Sequence, residues 1–313
     1  MQKKSLLLGA VVGALLLTGC AKQAEKDTAQ AGAVEKKSVT VGSDLTFPPY
    51  EYLKDGVPSG VSVEIMEKIA EVDGTYKAEW IDTRWANLIP GLKGEKFDIL
   101  FSSMYITKER LEQIDMIPYY KTDISLLVLN DSKLAPKGPN DLCGRTVGAM
   151  KGTAFSEQVH KISKERCVAE GKEAITIREF ETSPQTTQAL LAHAVEIQYD
   201  DAAVLKAAEK NLTGKVKITS TEEFFPTVGG IGIRKGDTAT YKMVEDGINK
   251  IKASGEFEKI LTAYGLKAPT DEDIKAVMGQ ECLENKVDRM LNQIQIDQFH
   301  RDGYLVIENV LNQ

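Results

Sequence analysis

The stretch Leu88-Ile-Pro-Gly-Leu-Lys-Gly-Glu-Lys-Phe-Asp-Ile-Leu-Phe-Ser-Ser-Met-Tyr-Ile-Thr-Lys-Glu-Arg110 decides the fold. A helix over Trp85–Leu92 runs into lysine and glycine, and Phe97–Phe101 then reads as a short buried strand. Beyond that strand lie Ser102, Ser103, Tyr105 and Thr107, with Arg110 three residues further on. Working outward, the same alternation recurs. Val39–Gly42 and Tyr76–Ile81 read as strands, and Ser62–Glu71 as a helix with Val63, Ile65, Met66 and Ile69 on its apolar side. Downstream, strands read at 125–129, 145–150, 175–177 and 195–199, and helical patterns follow the last three, of which 183–192 and 201–210 are the clearest. Strands alternating with helices of this length imply βαβ units and an α/β fold with largely parallel sheets.

In such sheets ligands bind at the carboxyl ends of the strands, where loops meet helix N-termini. Three of these loops carry chemistry. One holds Ser102, Ser103, Tyr105 and Arg110; a second holds Lys151, Gly152 and Thr153 at a helix start; a third holds Asp200 and Asp201. Together they offer a guanidinium and helix-terminal N–H groups for a carboxylate, and an anion for an ammonium. Each alone also has an ordinary structural explanation: Thr107 as a helix cap, Arg110 as a solvated helix residue, Asp200 as a cap. Their joint placement points to a zwitterion.

The net charge of −7 argues against a nucleic-acid partner, which would want a basic face. At the N-terminus, Lys3 and Lys4 precede an apolar run over Leu6–Leu17 that is too short for a stable membrane span of about 20 residues. This order reads as a secretory signal over residues 1–19, and its ending, Leu17-Thr18-Gly19-Cys20, resembles the lipobox of bacterial lipoproteins. That resemblance implies cleavage before Cys20 and a lipid on its thiol. Residues 20–37 are rich in Ala, Lys, Glu and Gln and read as a flexible tether. Export to an oxidising compartment makes Cys143 and Cys167 a candidate disulfide and leaves Cys282 as an odd thiol. The scattered histidines and the lack of a Cys-x-x-Cys pair argue against a metal.

Over residues 38–266 the chain resembles the family 3 extracellular solute-binding proteins, which deliver polar amino acids to ABC importers. Its carriers are Asp44-Leu-Thr-Phe-Pro-Pro-Tyr50-Glu51, the 88–110 stretch, Asp115-Met-Ile-Pro-Tyr-Tyr120, Asp141–Thr153, Gly232–Asp237 and Ala253–Gly265. The resemblance implies a two-lobe, class II periplasmic-binding-protein-like fold with two crossover segments, closing on its ligand like a hinged trap. Lobe 1 would be residues 38–125 plus 226–268, and lobe 2 residues 126–225. Arg110, Ser103 and the Gly152-Thr153 backbone would hold the ligand's carboxylate, with Ser102 beside them among the ligand-binding residues. Asp201 or Asp200 would hold its ammonium, with Asp201 favoured. Phe47 and Trp85 would face each other across the ligand's side chain. Some family members carry a cysteine pair placed like Cys143 and Cys167. The implied partners are an amino acid, an ABC permease and, through Cys20, the membrane; the implied state is a monomer without cofactors.

This chain departs from the pattern in places. Tyr105 stands where a small hydroxyl residue is common, and Ala154 replaces a second threonine. Asp44 beside Phe47, Trp85 and Tyr105 suits a cation between aromatic faces, pointing to arginine, ornithine or lysine, with cyclic or quaternary ammonium compounds as a second class. The alternative function is an enzyme on the same fold, a cyclohexadienyl/arogenate-type dehydratase. It would need a pocket acid of raised pKa, for which Glu51 and Glu196 are the nearby candidates. In the tail, residues 269–313, Gln298–Leu311 resembles the opening segment of phytanoyl-CoA-dioxygenase-like proteins. No histidine follows His300, so the iron ligands of such an enzyme are not expected.

Overall fold

The computed structural model describes residues 36–220 and 224–279. The leader, Cys20, the tether up to Glu35, Cys282 and the dioxygenase-like segment lie outside the described residues. In chain order the elements are β1 (Lys37–Ser43), β2 (Thr46–Phe47), β3 (Glu51–Lys54), β4 (Val57–Ser59), α1 (Val61–Asp73), β5 (Tyr76–Asp82), α2 (Leu88–Lys93), β6 (Ile99–Tyr105), α3 (Lys108–Leu111), β7 (Ile114–Thr122) and β8 (Ile124–Leu129). There follow β9 (Thr146–Met150), α4 (Ala154–Ile162), β10 (Thr176–Phe180), α5 (Ser183–Leu191), β11 (Ile197–Asp201), α6 (Ala202–Asn211), β12 (Val216–Ile218), β13 (Thr227–Arg234), α7 (Thr238–Ala253), α8 (Glu256–Ala263) and α9 (Asp271–Met278).

Two five-stranded sheets result, ordered β5-β1-β6-β13-β7 and β10-β9-β11-β8-β12, with a small third sheet β2-β3-β4. The βαβ strands pair in parallel, β1 with β5 and β6 and β9 with β10 and β11. The strands that pass between sheets enter antiparallel: β13 against β6 and β7, β8 against β11 and β12. The chain crosses out at Asp123, between β7 and β8, and returns between β12 and β13. The two crossings touch, because the Asp123 carboxylate accepts from the Phe225 N–H at 2.8 Å.

Strand β6 runs four residues past the expected end at Phe101. Its extension is held by β13, whose Gly229 and Gly230 lie opposite Tyr105 and Met104. On its other side Gly229 makes room for Tyr120 of β7: a Cβ there would meet that ring at 1.7 Å. Beneath the strands Phe101, Tyr119, Tyr120 and Tyr50 are fully buried, with successive ring centroids 4.5–4.9 Å apart. Each such aromatic pair adds about 0.5–1.5 kcal/mol beyond its buried area. Helix α1 buries Val61, Val63, Ile65, Met66 and Ile69 against the first sheet, as its spacing predicts, and the αL glycine Gly74 ends it. Helix α9, which begins the tail, packs on the same sheet through Val277 and Met278 and an Asp273–Lys121 ion pair at 2.7 Å. In the second half, Cys143 and Cys167 are joined in a disulfide.

Candidate functional site

The carboxyl ends of β1 and β6 form one wall of a cleft. Asp44 follows β1 and is buried. Its Oδ1 pairs with Arg84 at 2.8 Å and accepts from the Thr46 hydroxyl, while its Oδ2 accepts the Trp85 N–H at 2.8 Å. Burial raises its carboxyl above the ordinary range, against the pull of Thr46 and Arg84. Ser102 uses its hydroxyl to accept the Asp44 N–H at 2.9 Å. Ser103 holds a left-handed backbone, φ 45°, rare for a serine within a strand. The Tyr120 hydroxyl donates to the Ser103 carbonyl at 3.0 Å.

Arg110 lies in α3, whose first turn is capped by the Thr107 hydroxyl. Its Nη1 donates to the Tyr105 carbonyl at 2.7 Å, and its guanidinium sits 5.3 Å from the centroid of the Trp85 ring. Burial opposes its charge, so a carboxylate drawn beside it would be held strongly.

The second wall comes from the other sheet. Strand β9 ends at Met150, Gly152 turns the chain at φ +68°, and Thr153 caps α4. The Thr153 hydroxyl donates to the Met150 carbonyl at 2.5 Å and accepts the Ser156 N–H at 3.2 Å. Like any helix start, α4 leaves its first N–H groups without partners in the helix, and Thr153, Ala154 and Phe155 place that start against the cleft.

Strand β11 sends its two aspartates to opposite faces, as strand alternation requires. Asp200 turns to α5, accepting from Ser183, from Gln198 at 3.0 Å and from the Asp201 N–H at 2.8 Å. Burial lifts its carboxyl to about 7. Asp201 caps α6 and accepts hydroxyls from the first half: Tyr105 at 2.6 Å, Thr122 at 2.9 Å and Tyr50 at 3.0 Å. Burial raises its carboxyl too, opposed chiefly by the Tyr105 hydroxyl. Of the two candidates, Asp201 is the one that reaches across.

The walls meet around a narrow cavity of about 10 Å³. Of the residues expected from sequence, Asp44, Phe47, Trp85, Ser102, Ser103, Tyr105, Arg110 and Thr153 line it. Gly152 adjoins it, its carbonyl accepting the Trp85 indole N–H at 2.8 Å across the cleft. Asp200 and Asp201 stand behind the lining, each held by the partners just described. Phe47 stacks nearly parallel on Phe155 of the opposite wall, centroids 6.5 Å apart, and Tyr105 meets Phe155 edge-on at 5.9 Å.

Sequence reasoning did not place Glu51, Met150, Ala154 or Phe155 as ligand-facing side chains, yet all four line the cavity. For Phe155 a signal existed, since a Thr153 cap puts it in the first turn of a helix aimed at the cleft. Glu51 was weighed as an acid, and its burial depends on Ser62, Ser103 and Tyr119, distant in sequence. Glu196, the other acid considered, lies away from the cavity, pairing with Arg145 at 3.5 Å and accepting the Thr146 N–H. Among the described residues no helix is long and apolar enough to cross a membrane.

Comparison with known proteins bears on this geometry. The sequence model of the bacterial extracellular solute-binding proteins, family 3, matches residues 39–267. A probable histidine-binding protein of Neisseria gonorrhoeae is 30% identical, over 85% of this chain and 96% of its own length. The L-cystine-binding protein TcyJ of Escherichia coli strain K12 is 24% identical, over 80% of this chain and 92% of its own. Among solved structures, an ancestral arginine-binding protein bound to arginine superposes with a TM-score of 0.66 at 26% identity, covering 74% of this chain and 99% of that one.

Proposed function

The chain belongs to the bacterial extracellular solute-binding proteins, family 3, and from that premise we propose that it captures an amino acid outside the cytoplasmic membrane and hands it to an ABC importer. What carries the reading is one juxtaposition: Arg110 from the first wall and the start of α4 from the second face the same cavity. A guanidinium offers two parallel N–H donors and the helix start offers backbone N–H groups with a positive dipole end, which together suit a carboxylate. The ligand's ammonium goes to Asp201, displacing or joining the Tyr105 hydroxyl that now bonds it. Closure then follows from the ligand bridging residues of both sheets. The protein acts as a monomer, since one chain supplies both walls. Cys20 carries a lipid, and the tether of residues 20–37 leashes the two lobes to the membrane.

Thermal denaturation against the common amino acids tests this reading. A binder present at 100 times its Kd stabilises the fold by about 2.7 kcal/mol through mass action. No shift with any amino acid would sink it. For the anchor, Cys20→Ser should release the protein from the membrane fraction, and full retention would refute lipidation there.

A dehydratase remains the second reading because of one observation. Glu51 is a cavity carboxyl that burial pushes well above the ordinary range, the property such an acid needs. Incubation with arogenate and prephenate decides it, and absence of turnover leaves binding alone.

A further inference from the structure

Arg110 is assigned to the ligand's carboxylate, yet the helix that bears it is short. Helix α3 has four residues, whereas an isolated helix needs about 12 or more to hold its shape in water. Its Thr107 cap secures only the first turn, so its angle is set by what packs around it. Leu111, next to Arg110, rests on a buried apolar cluster that includes Met104, Ile106, Ile114 and Met116. Trp85, whose ring centroid lies 5.3 Å from the Arg110 guanidinium, rests on the same cluster. Both neighbours of the guanidinium thus take their places from one apolar bed.

Helix α9 closes that bed. Its half-buried residues, Asp273, Ile274, Val277 and Met278, follow a spacing of three and four along one stripe, while Asp271, Glu272, Lys275 and Ala276 are exposed. Val277 and Met278 pack on the cluster that supports Leu111 and Trp85, and α9 as a whole packs against α3 and β13. The other end of α9 is fastened. Thr270 and Asp273 cap it reciprocally, and the Asp273 carboxylate pairs with Lys121 at 2.7 Å. The Lys121 N–H in turn donates to the Lys267 carbonyl at 2.8 Å. Helix α9 lies beyond residues 39–267, the part that the family's sequence model matches, and neither Val277 nor Met278 lines the cavity. Resting on the amino-acid reading above, we propose that α9 is a positioning helix for the site: through Val277 and Met278 it holds α3 at the angle that aims Arg110 at the ligand's carboxylate.

Two full-length variants test this. Val277→Ala with Met278→Ala empties the stripe, and Val277→Ile with Met278→Leu refills it at nearly the same volume. The probe is whichever common amino acid stabilises the unmodified protein most in thermal denaturation. Calorimetry well below the denaturation midpoint should show its affinity reduced about tenfold in the alanine variant, about 1.4 kcal/mol, and within about twofold of the parent in the refilled one. A helix that only adds stability would lower the midpoint and leave affinity unchanged, and that result overturns the proposal.

The route through Arg110 has its own signature. Trp80→Phe leaves Trp85 as the only tryptophan, so its emission reports on the guanidinium beside it. In that background Arg110→Ala marks the spectrum of Trp85 without its cation. The alanine variant should move the ligand-free spectrum at least halfway toward it, and combining the two should add no further shift. A spectrum that stays at the parent's, or a full additional shift in the combination, overturns the proposal even where affinity falls, because α9 would then act on the site by another path. If no amino acid stabilises the unmodified protein, the amino-acid reading fails, while the spectra still decide whether α9 places Arg110.

Discussion

On the first wall of the cleft, Arg110, Glu51, Phe47 and Trp85 present side chains; on the second, Thr153 and Ala154 present the beginning of a helix. The first wall holds the chemically distinctive groups, including a guanidinium whose charge burial opposes and a carboxyl oxygen with no partner. The second holds backbone N–H groups, which are alike in any helix, the apolar side chains of Met150 and Phe155, and aspartates whose oxygens are already engaged. A wall of side chains can tell one ligand from another. Backbone N–H groups and two apolar side chains chiefly recognise what all ligands of the class share. On the function proposed above, selection belongs to the first wall and closure to the second, and the two should separate under mutation.

The largest separation is expected for Arg110→Ala. Losing a desolvated charged contact costs about 2–5 kcal/mol, roughly 30- to several-thousand-fold in affinity. The fold loses little more than one hydrogen bond to the Tyr105 carbonyl, about 1 kcal/mol. Calorimetry paired with thermal denaturation measures both, and an undiminished affinity would move the carboxylate elsewhere. The converse is expected of the Cys143–Cys167 bridge. Its 24-residue separation corresponds to roughly 3 kcal/mol in the chain-entropy model. Replacing both cysteines by serine should lower the denaturation midpoint while ligand affinity stays within about tenfold, because Thr153 lies at the far end of α4 from Cys167. A large loss of affinity would mean that the second wall depends on the bridge for its shape.

Tyr105→Phe tests the seam between the walls. Hydrogen bonds to charged groups are worth about 1.5–3 kcal/mol, and this one joins the two halves at 2.6 Å. Small-angle scattering of the ligand-free variant should report a larger radius of gyration than the parent. No change would assign closure to the Phe47–Phe155 and Trp85–Gly152 contacts instead.

The last test concerns pH. Asp200 has its carboxyl raised by burial to about 7, against an unfolded value of about 3.9. Between these values the folded protein holds a proton that the unfolded chain has released, so stability falls as pH rises from about 4 to about 7. A side-chain amide cannot titrate in this range, and Asp200→Asn should flatten that slope in melting curves taken across it. Glu51→Gln should flatten it in the same direction from the first wall, since burial raises Glu51 too. An unchanged slope in both would place the pH dependence in other groups.

How legible the two walls were in the sequence also differs. The first is written almost continuously in residues 44–51 and 85–110, where strand, serines and arginine follow one another. What stayed hidden was tertiary. Strand β6 continues through Tyr105 because β13 arrives from more than 120 residues away to pair with it. Glu51 is interior because the side chains of Ser62, Ser103 and Tyr119 close around it. The second wall was legible as a strand followed by a capped helix, but not in register. Whether Asp200 or Asp201 faces the cleft turns on a one-residue phase, and period-two alternation reveals the phase only once the partner strand is known. Pairing with β8, Asp200 opposite Ser125 and Asp201 opposite Ile124, fixes it.

The contacts that span the cleft carry a kinetic consequence. Tyr105 on Asp201, Trp85 on Gly152 and Phe47 on Phe155 all have to part before a ligand enclosed behind them can leave. Departure is then gated by an opening motion of the protein, and ligands that bond equally to both walls share one residence time set by that gate. A docked transporter that holds the two lobes apart shortens that time without touching the ligand at all.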